Sequence, residues 1–143
     1  MRFWDASALV PLLVDEPRSS WAATTLAQDP AVAVWSWTQV ELVSAVERQA
    51  RDSGLAPATR RALLARIDEL CAGFAEVTDV LAVRQRAMRL LARHPLRAAD
   101  AGQLAAALLV GEASGRDPVF VCLDGRLALA AEREGLEVSP PPG

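Results

Sequence analysis

The sequence predicts a three-layer α/β/α domain around a mostly parallel sheet of about five strands. Three observations predict it. Short strand-like runs alternate with helix-like segments along the chain, the pattern of repeated βαβ units. The strand-like runs are continuously apolar, as in AVAVW (31–35) and PVFVCL (118–123), which fits strands buried on both faces. The length of 143 residues is that of one ordinary domain able to bury its own core. Connections between the strands are then expected to be right-handed crossovers.

The elements follow in order. Arg2–Asp5 reads as a short strand, and Ser7–Leu13 as a helical turn closed by Glu16-Pro17. Ser19–Gln28 reads as a helix stopped by Asp29-Pro30, and Ala31–Trp35 as the second strand. Thr38–Asp52 carries apolar residues at helical spacing and ends at Gly54. Pro57–Cys71 starts on a proline, which suits the first helical position. Phe74–Val77 is a third strand; Asp79 caps a helix that runs to Arg93 before Pro95. Ala98–Ala113 is an Ala- and Leu-rich helix. Pro118–Leu123 is the clearest buried strand, Gly125–Glu134 a helix ended by Gly135, and Leu136–Val138 a last strand. No repeat or linker divides the chain, so residues 1–143 form a single domain, with 139–143 (Ser-Pro-Pro-Pro-Gly) expected as a flexible tail.

Composition narrows the function. No apolar run approaches the ~20 residues of a membrane span, and Asp5 interrupts the apolar start, unlike a signal peptide. Cys71 and Cys122 show no metal-ligand spacing and read as buried thiols; a reducing cytoplasmic setting is expected. The net charge of −3 gives no support to strong non-specific nucleic-acid binding. All fifteen basic residues are arginine.

Four acids stand out. In open parallel sheets, ligands bind beyond the C-terminal ends of the strands. Asp5 ends the first strand and Asp124 the strongest one. Either one alone also reads as a helix cap. Glu41 lies one turn into the helix after the second strand, and Thr38-Gln-Val-Glu41 also matches a capping box. Asp100 is a lone acid at the start of an apolar helix, where the helix dipole favours it. If all four gather at one sheet end, each pair repels by roughly 4 kcal/mol at ~4 Å with an effective dielectric near 20. Such a cluster raises its own pKa values or recruits a cation. Oxygen donors without His or Cys select hard ions such as Mg²⁺ or Mn²⁺.

Four segments carry a family resemblance: FWDASALV, WTQVELVSAVER, LRAADAGQLAAALL and VFVCLDGRLALAAEREGLEV. Together they span nearly the whole chain, and they make it resemble the PIN-domain nucleases, and among these the VapC toxins of VapBC toxin–antitoxin modules. The resemblance implies that Asp5, Glu41, Asp100 and Asp124 hold Mg²⁺ or Mn²⁺ and catalyse RNA cleavage that leaves 5′-phosphate and 3′-hydroxyl ends. It matches Ser7 to a small hydroxyl residue supporting the metal site. It also implies a homodimer and inhibition by a cognate antitoxin protein. One departure is Gly102-Gln103, where similar proteins often carry Leu-His.

Other residues admit two readings. Thr38 and Ser36 either contact substrate near the metal or cap the helix. Arg86, Arg89, Arg93 and Arg97 form a helical stripe that either guides an RNA backbone or is a solvated face balanced by acids. Arg97, one turn before Asp100, is the candidate RNA contact. His94 reads as a helix-end residue complementing the dipole rather than a general base. Trp4 and Trp35 read as core; Trp21 and Trp37 read as partly exposed.

Two rivals are weighed. Haloacid-dehalogenase-like phosphatases begin Asp-x-Asp where this chain has Ser7, and most of them, like receiver domains, need a lysine that this chain lacks. A non-catalytic interaction module of the same fold is opposed by the presence of all four acids.

Overall fold

The computed structural model describes residues 1–139. The elements are β1 (Arg2–Trp4), α1 (Ala6–Leu13), α2 (Ser19–Gln28), β2 (Val32–Trp35), α3 (Thr38–Ser53), α4 (Pro57–Ala72), β3 (Ala75–Val77), α5 (Val80–Arg93), α6 (Ala98–Ser114), β4 (Val119–Val121), α7 (Gly125–Arg133) and β5 (Val138–Ser139). The sheet order is β3-β2-β1-β4-β5, every pairing parallel.

Alternation along each strand sorts the core into two layers. Phe3 and Phe120 point to one face, where they stack at 5.8 Å and pack with Leu90, Leu104 and Leu127 of α5, α6 and α7. Trp4 and Val121 point to the other, against Leu9, Leu42 and Ile67 of α1, α3 and α4. The three-layer architecture therefore follows from the period-2 pleat with apolar residues at both phases. The chain moves outward from β1 with its helices on one face. It then returns past β1 to β4 and β5 with helices on the other, which keeps one crossover hand. That reversal puts a topological switch point at the C-terminal ends of β1 and β4.

The helices match the expected spans within a residue or two, and α1 is a full eight-residue helix rather than a turn. The strands are shorter than the apolar runs. β4 stops at Val121 because the next backbone amides leave the ladder: Leu123 N–H donates to Ser7 Oγ (3.0 Å) and Asp124 N–H to Cys122 Sγ (3.3 Å). β5 begins at Val138 rather than Leu136, since Leu136 N–H still closes the α7 terminus on Ala131 O (3.0 Å) around Gly135 at φ +94°. Ser139, expected in the tail, is the last residue of β5; residues 140–143 lie outside the described residues.

Gly111, buried in α6, faces the loop that leads into β4. A Cβ there meets the Asp117 side chain and lies 3.2 Å from its Cα. Alanine gains about 1 kcal/mol in helix propensity, but overpacking against backbone costs about 1–3 kcal/mol. Gly111→Ala is expected to destabilise by about 1 kcal/mol net in thermal denaturation; a stabilised variant would contradict this contact.

Candidate active site

The switch point opens into a cleft of about 930 Å³, walled by Ser7, Glu41, Asp100 and Asp124 and rimmed by Trp37, Arg48, Arg97 and Arg126. Asp5 is itself buried, 3% exposed; it immediately precedes the wall residues Ala6 and Ser7 and is near enough to Asp100 and Glu41 to repel both. The fold thus brings all four predicted acids to one end of the sheet.

Asp5 directly follows β1 and Asp124 follows β4 after two intervening residues, and each caps the next helix, so the capping and site readings coexist. Asp5 accepts from Ser7 N–H (3.1 Å) and Ser7 Oγ through one oxygen, Oδ2. Asp124 accepts from the N–H groups of Arg126 (3.0 Å) and Leu127 (3.1 Å) through one oxygen, Oδ1. Ser7 does more than support Asp5: its Oγ also accepts from Leu123 N–H, lacing the start of α1 to the loop after β4. Cys122 Sγ completes the seat at 3.7 Å from Asp5 Oδ2.

The capping box of Thr38 and Glu41 does not form. The α3 N-cap is Trp37, in helical backbone geometry and with no side-chain cap. Thr38 is instead fully buried, its hydroxyl paired with Gln103 of α6 (3.0 Å). Glu41 Oε1 accepts from the same Gln103 Nε2 (2.9 Å). The sequence marks Gln103 only as a departure from similar proteins; its bond to Glu41, 62 residues away, leaves no local signal.

The electrostatics tie the acids together. Burial pushes Asp5 up to about 6, against the hydrogen bonds from Ser7, and repulsion from Asp100 adds to the rise. Burial likewise pushes Glu41 to about 7, opposed by the Gln103 hydrogen bond and assisted by Asp5 and Asp100. Asp100 is raised by burial and by Asp124, with Arg97 pulling the other way. Among the described residues no three metal-binding side chains already encircle one point. The donor set nonetheless fits a hard cation: all are carboxylates, Asp100 repels Asp5 and Glu41 and is repelled by Asp124, and burial makes the ionised forms of Asp5, Glu41 and Asp100 costly without a countercharge.

The arginine stripe divides. Arg86 pairs with Glu112 and Arg93 with Glu134 (3.0 Å), while Arg97 reaches the cleft. Arg48 and Arg126 were not singled out in the sequence. The signal for Arg48 is its helical phase, with Glu41, Ser44, Ala45 and Arg48 all on the cleft wall. His94 caps the end of α5 and bonds Glu134 through Nε2 (3.0 Å), outside the cleft lining. Trp4 is core; Trp35 is half-buried and Trp37 58% exposed. Among the described residues no helix is long and apolar enough to cross a membrane.

No curated protein matches the chain by sequence. Solved structures do match by fold. A toxin–antitoxin complex from Klebsiella pneumoniae superposes with TM-score 0.69 at 17% identity, over 99% of this chain and 98% of that one. FitAcB from Neisseria gonorrhoeae gives TM-score 0.71 at 17% identity, over 99% and 98%. VapC20 of Mycobacterium tuberculosis, described as a toxin cleaving the sarcin–ricin loop, gives 0.67 at 20% identity, over 98% and 100%. Identities this low speak to fold alone. The family model of the PIN domain matches residues 2–132. With a match of that extent, added to the parallel sheet and its acidic switch point, the chain belongs to the PIN domain family.

Proposed function

We propose that this protein is a metal-dependent endoribonuclease, the toxin of a toxin–antitoxin module. The observation that carries the reading is the convergence of Glu41, Asp100 and Asp124 on one cleft at the switch point, with Asp5 buried next to its wall residue Ser7 and coupled to Asp100 and Glu41, and with Asp5 and Glu41 held well above the usual carboxylate range. Asp5, Asp100, Asp124 and Glu41 would hold Mg²⁺ or Mn²⁺, which would supply charge neutralisation at a phosphodiester and activation of water. Ser7 and Thr38 support the acids from behind, Ser7 on Asp5 directly and Thr38 through Gln103. Arg97, with Arg48 and Arg126, meets the RNA backbone, and Trp37 offers a face on which a base stacks. The arginines at the rim answer the low net charge: RNA affinity is local to the cleft.

The toxin assignment draws on the similarity in fold to toxin–antitoxin proteins. It implies a cytoplasmic homodimer silenced by a cognate antitoxin protein.

The test is cleavage of total RNA by purified protein with Mn²⁺ or Mg²⁺, and its loss with chelator. Products should carry 5′-phosphates. Glu41→Gln is expected to weaken Mn²⁺ binding by about tenfold or more, read by calorimetric titration. No Mn²⁺ binding and no cleavage by the wild-type protein would leave a non-catalytic module of this fold.

A further inference from the structure

We propose that Gln103 is a positioning residue that holds the Glu41 carboxylate in place for the metal, acting across the fold from α6 to α3. The inference rests on the metal-nuclease reading of this cleft. Gln103 and Thr38 are both 0% exposed. The Gln103 amide nitrogen donates to Glu41 Oε1 (2.9 Å) and to Thr38 Oγ1 (3.0 Å), so both of its N–H groups are used. The Thr38 hydroxyl lies 3.3 Å from Gln103 Oε1, to which it donates. With Glu41 ionised, the form that would hold a cation, the carboxylate only accepts, so the amide nitrogen rather than its oxygen faces it.

Gln103 sits one turn after Asp100 on the same helix. One rigid element thus carries an acid of the site and the strut for another. An amide is suited to this place. It grips a carboxylate without neutralising it, and so leaves the negative charge available to a cation. An arginine or lysine there would satisfy the acid and compete with the ion.

The test is Mn²⁺ titration of the full-length protein by calorimetry, with thermal melts as a folding control. Gln103→Met keeps the length and removes both donors. It is expected to weaken Mn²⁺ binding by about tenfold, the scale for groups that orient metal ligands. Thr38→Val, which cuts the anchor of the amide, is expected to weaken it in the same direction by less, and serves if Gln103→Met does not fold. In a Glu41→Gln background neither change should weaken binding further, because the effect travels through Glu41. A role in packing alone would lower melting temperature and leave Mn²⁺ affinity as it was. Unchanged affinity in the folded single variants, or a full additional loss on top of Glu41→Gln, overturns the positioning role. If Glu41→Gln itself binds Mn²⁺ like wild type, the failure lies with Glu41 as a ligand, and the strut falls with it.

Discussion

Asp5→Asn is expected to abolish RNA cleavage while leaving the fold intact and, in metal-free buffer, more stable. The two halves of this result have one cause. Asp5 is the most deeply buried acid of the cleft, and burial is the largest contribution to its raised pKa. Its charge is therefore costly unless a cation answers it. Asparagine removes the charge but keeps an oxygen that caps α1 equally well and still accepts from Ser7. Loss of cleavage should reach at least about a hundredfold, the scale for deleting one group that stabilises transition-state charge. Asp100→Asn is expected to behave alike, since it repels Asp5 and Asp124 in turn. The measurements are cleavage rate with Mn²⁺ and melting temperature in chelator. Full activity in both variants would sink the site assignment.

How much of this was legible in the sequence depends on the range of the interaction. The layers were legible because continuous apolar strands record burial on two faces; Phe3 and Trp4, adjacent in sequence, serve opposite cores. Asp5 and Asp124 were legible as strand-end acids because strand and acid are neighbours in the chain. Glu41 was ambiguous for the same reason: Thr38-x-x-Glu41 is a good local cap, and nothing local says that Thr38 is turned inward. The strut that turns it comes from α6. Strand ends were overread because Cys122 stays buried and Leu123 half-buried after the ladder stops, while the amides of Leu123 and Asp124 turn to Ser7 and Cys122 instead. Of the arginine stripe, Arg97 stood out in the sequence because it lies one turn before Asp100, and it does reach the cleft. That Arg86 and Arg93 are paired follows only from the tertiary positions of Glu112 and Glu134.

The raised carboxylates also dictate how the metal-free protein responds to pH. For Asp5, moved from 3.8 to about 6, and Glu41, moved from 4.5 to about 7, the native state binds protons more tightly than the unfolded chain. Their contribution to stability is thus complete below about pH 4 and is lost as pH rises through 6 and 7. This is the reverse of a salt-bridged acid. Between pH 5 and 8 Asp5 alone gives up about 1.4 kcal/mol, one pH unit at 1.36 kcal/mol each. Glu41 adds less than its shift suggests, because it is partly exposed and screened by solvent. In chelator, melting temperature is expected to fall by at least about 3–6 °C over this range, and by less in Asp5→Asn. With saturating Mn²⁺ the fall should shrink or reverse, because the cation replaces the protons and binds better as they leave. A wild-type melting temperature that stays level or rises in chelator, or a slope unchanged by Asp5→Asn, would mean that the Asp5 charge is satisfied by the protein itself, and that the cleft has no call for a metal.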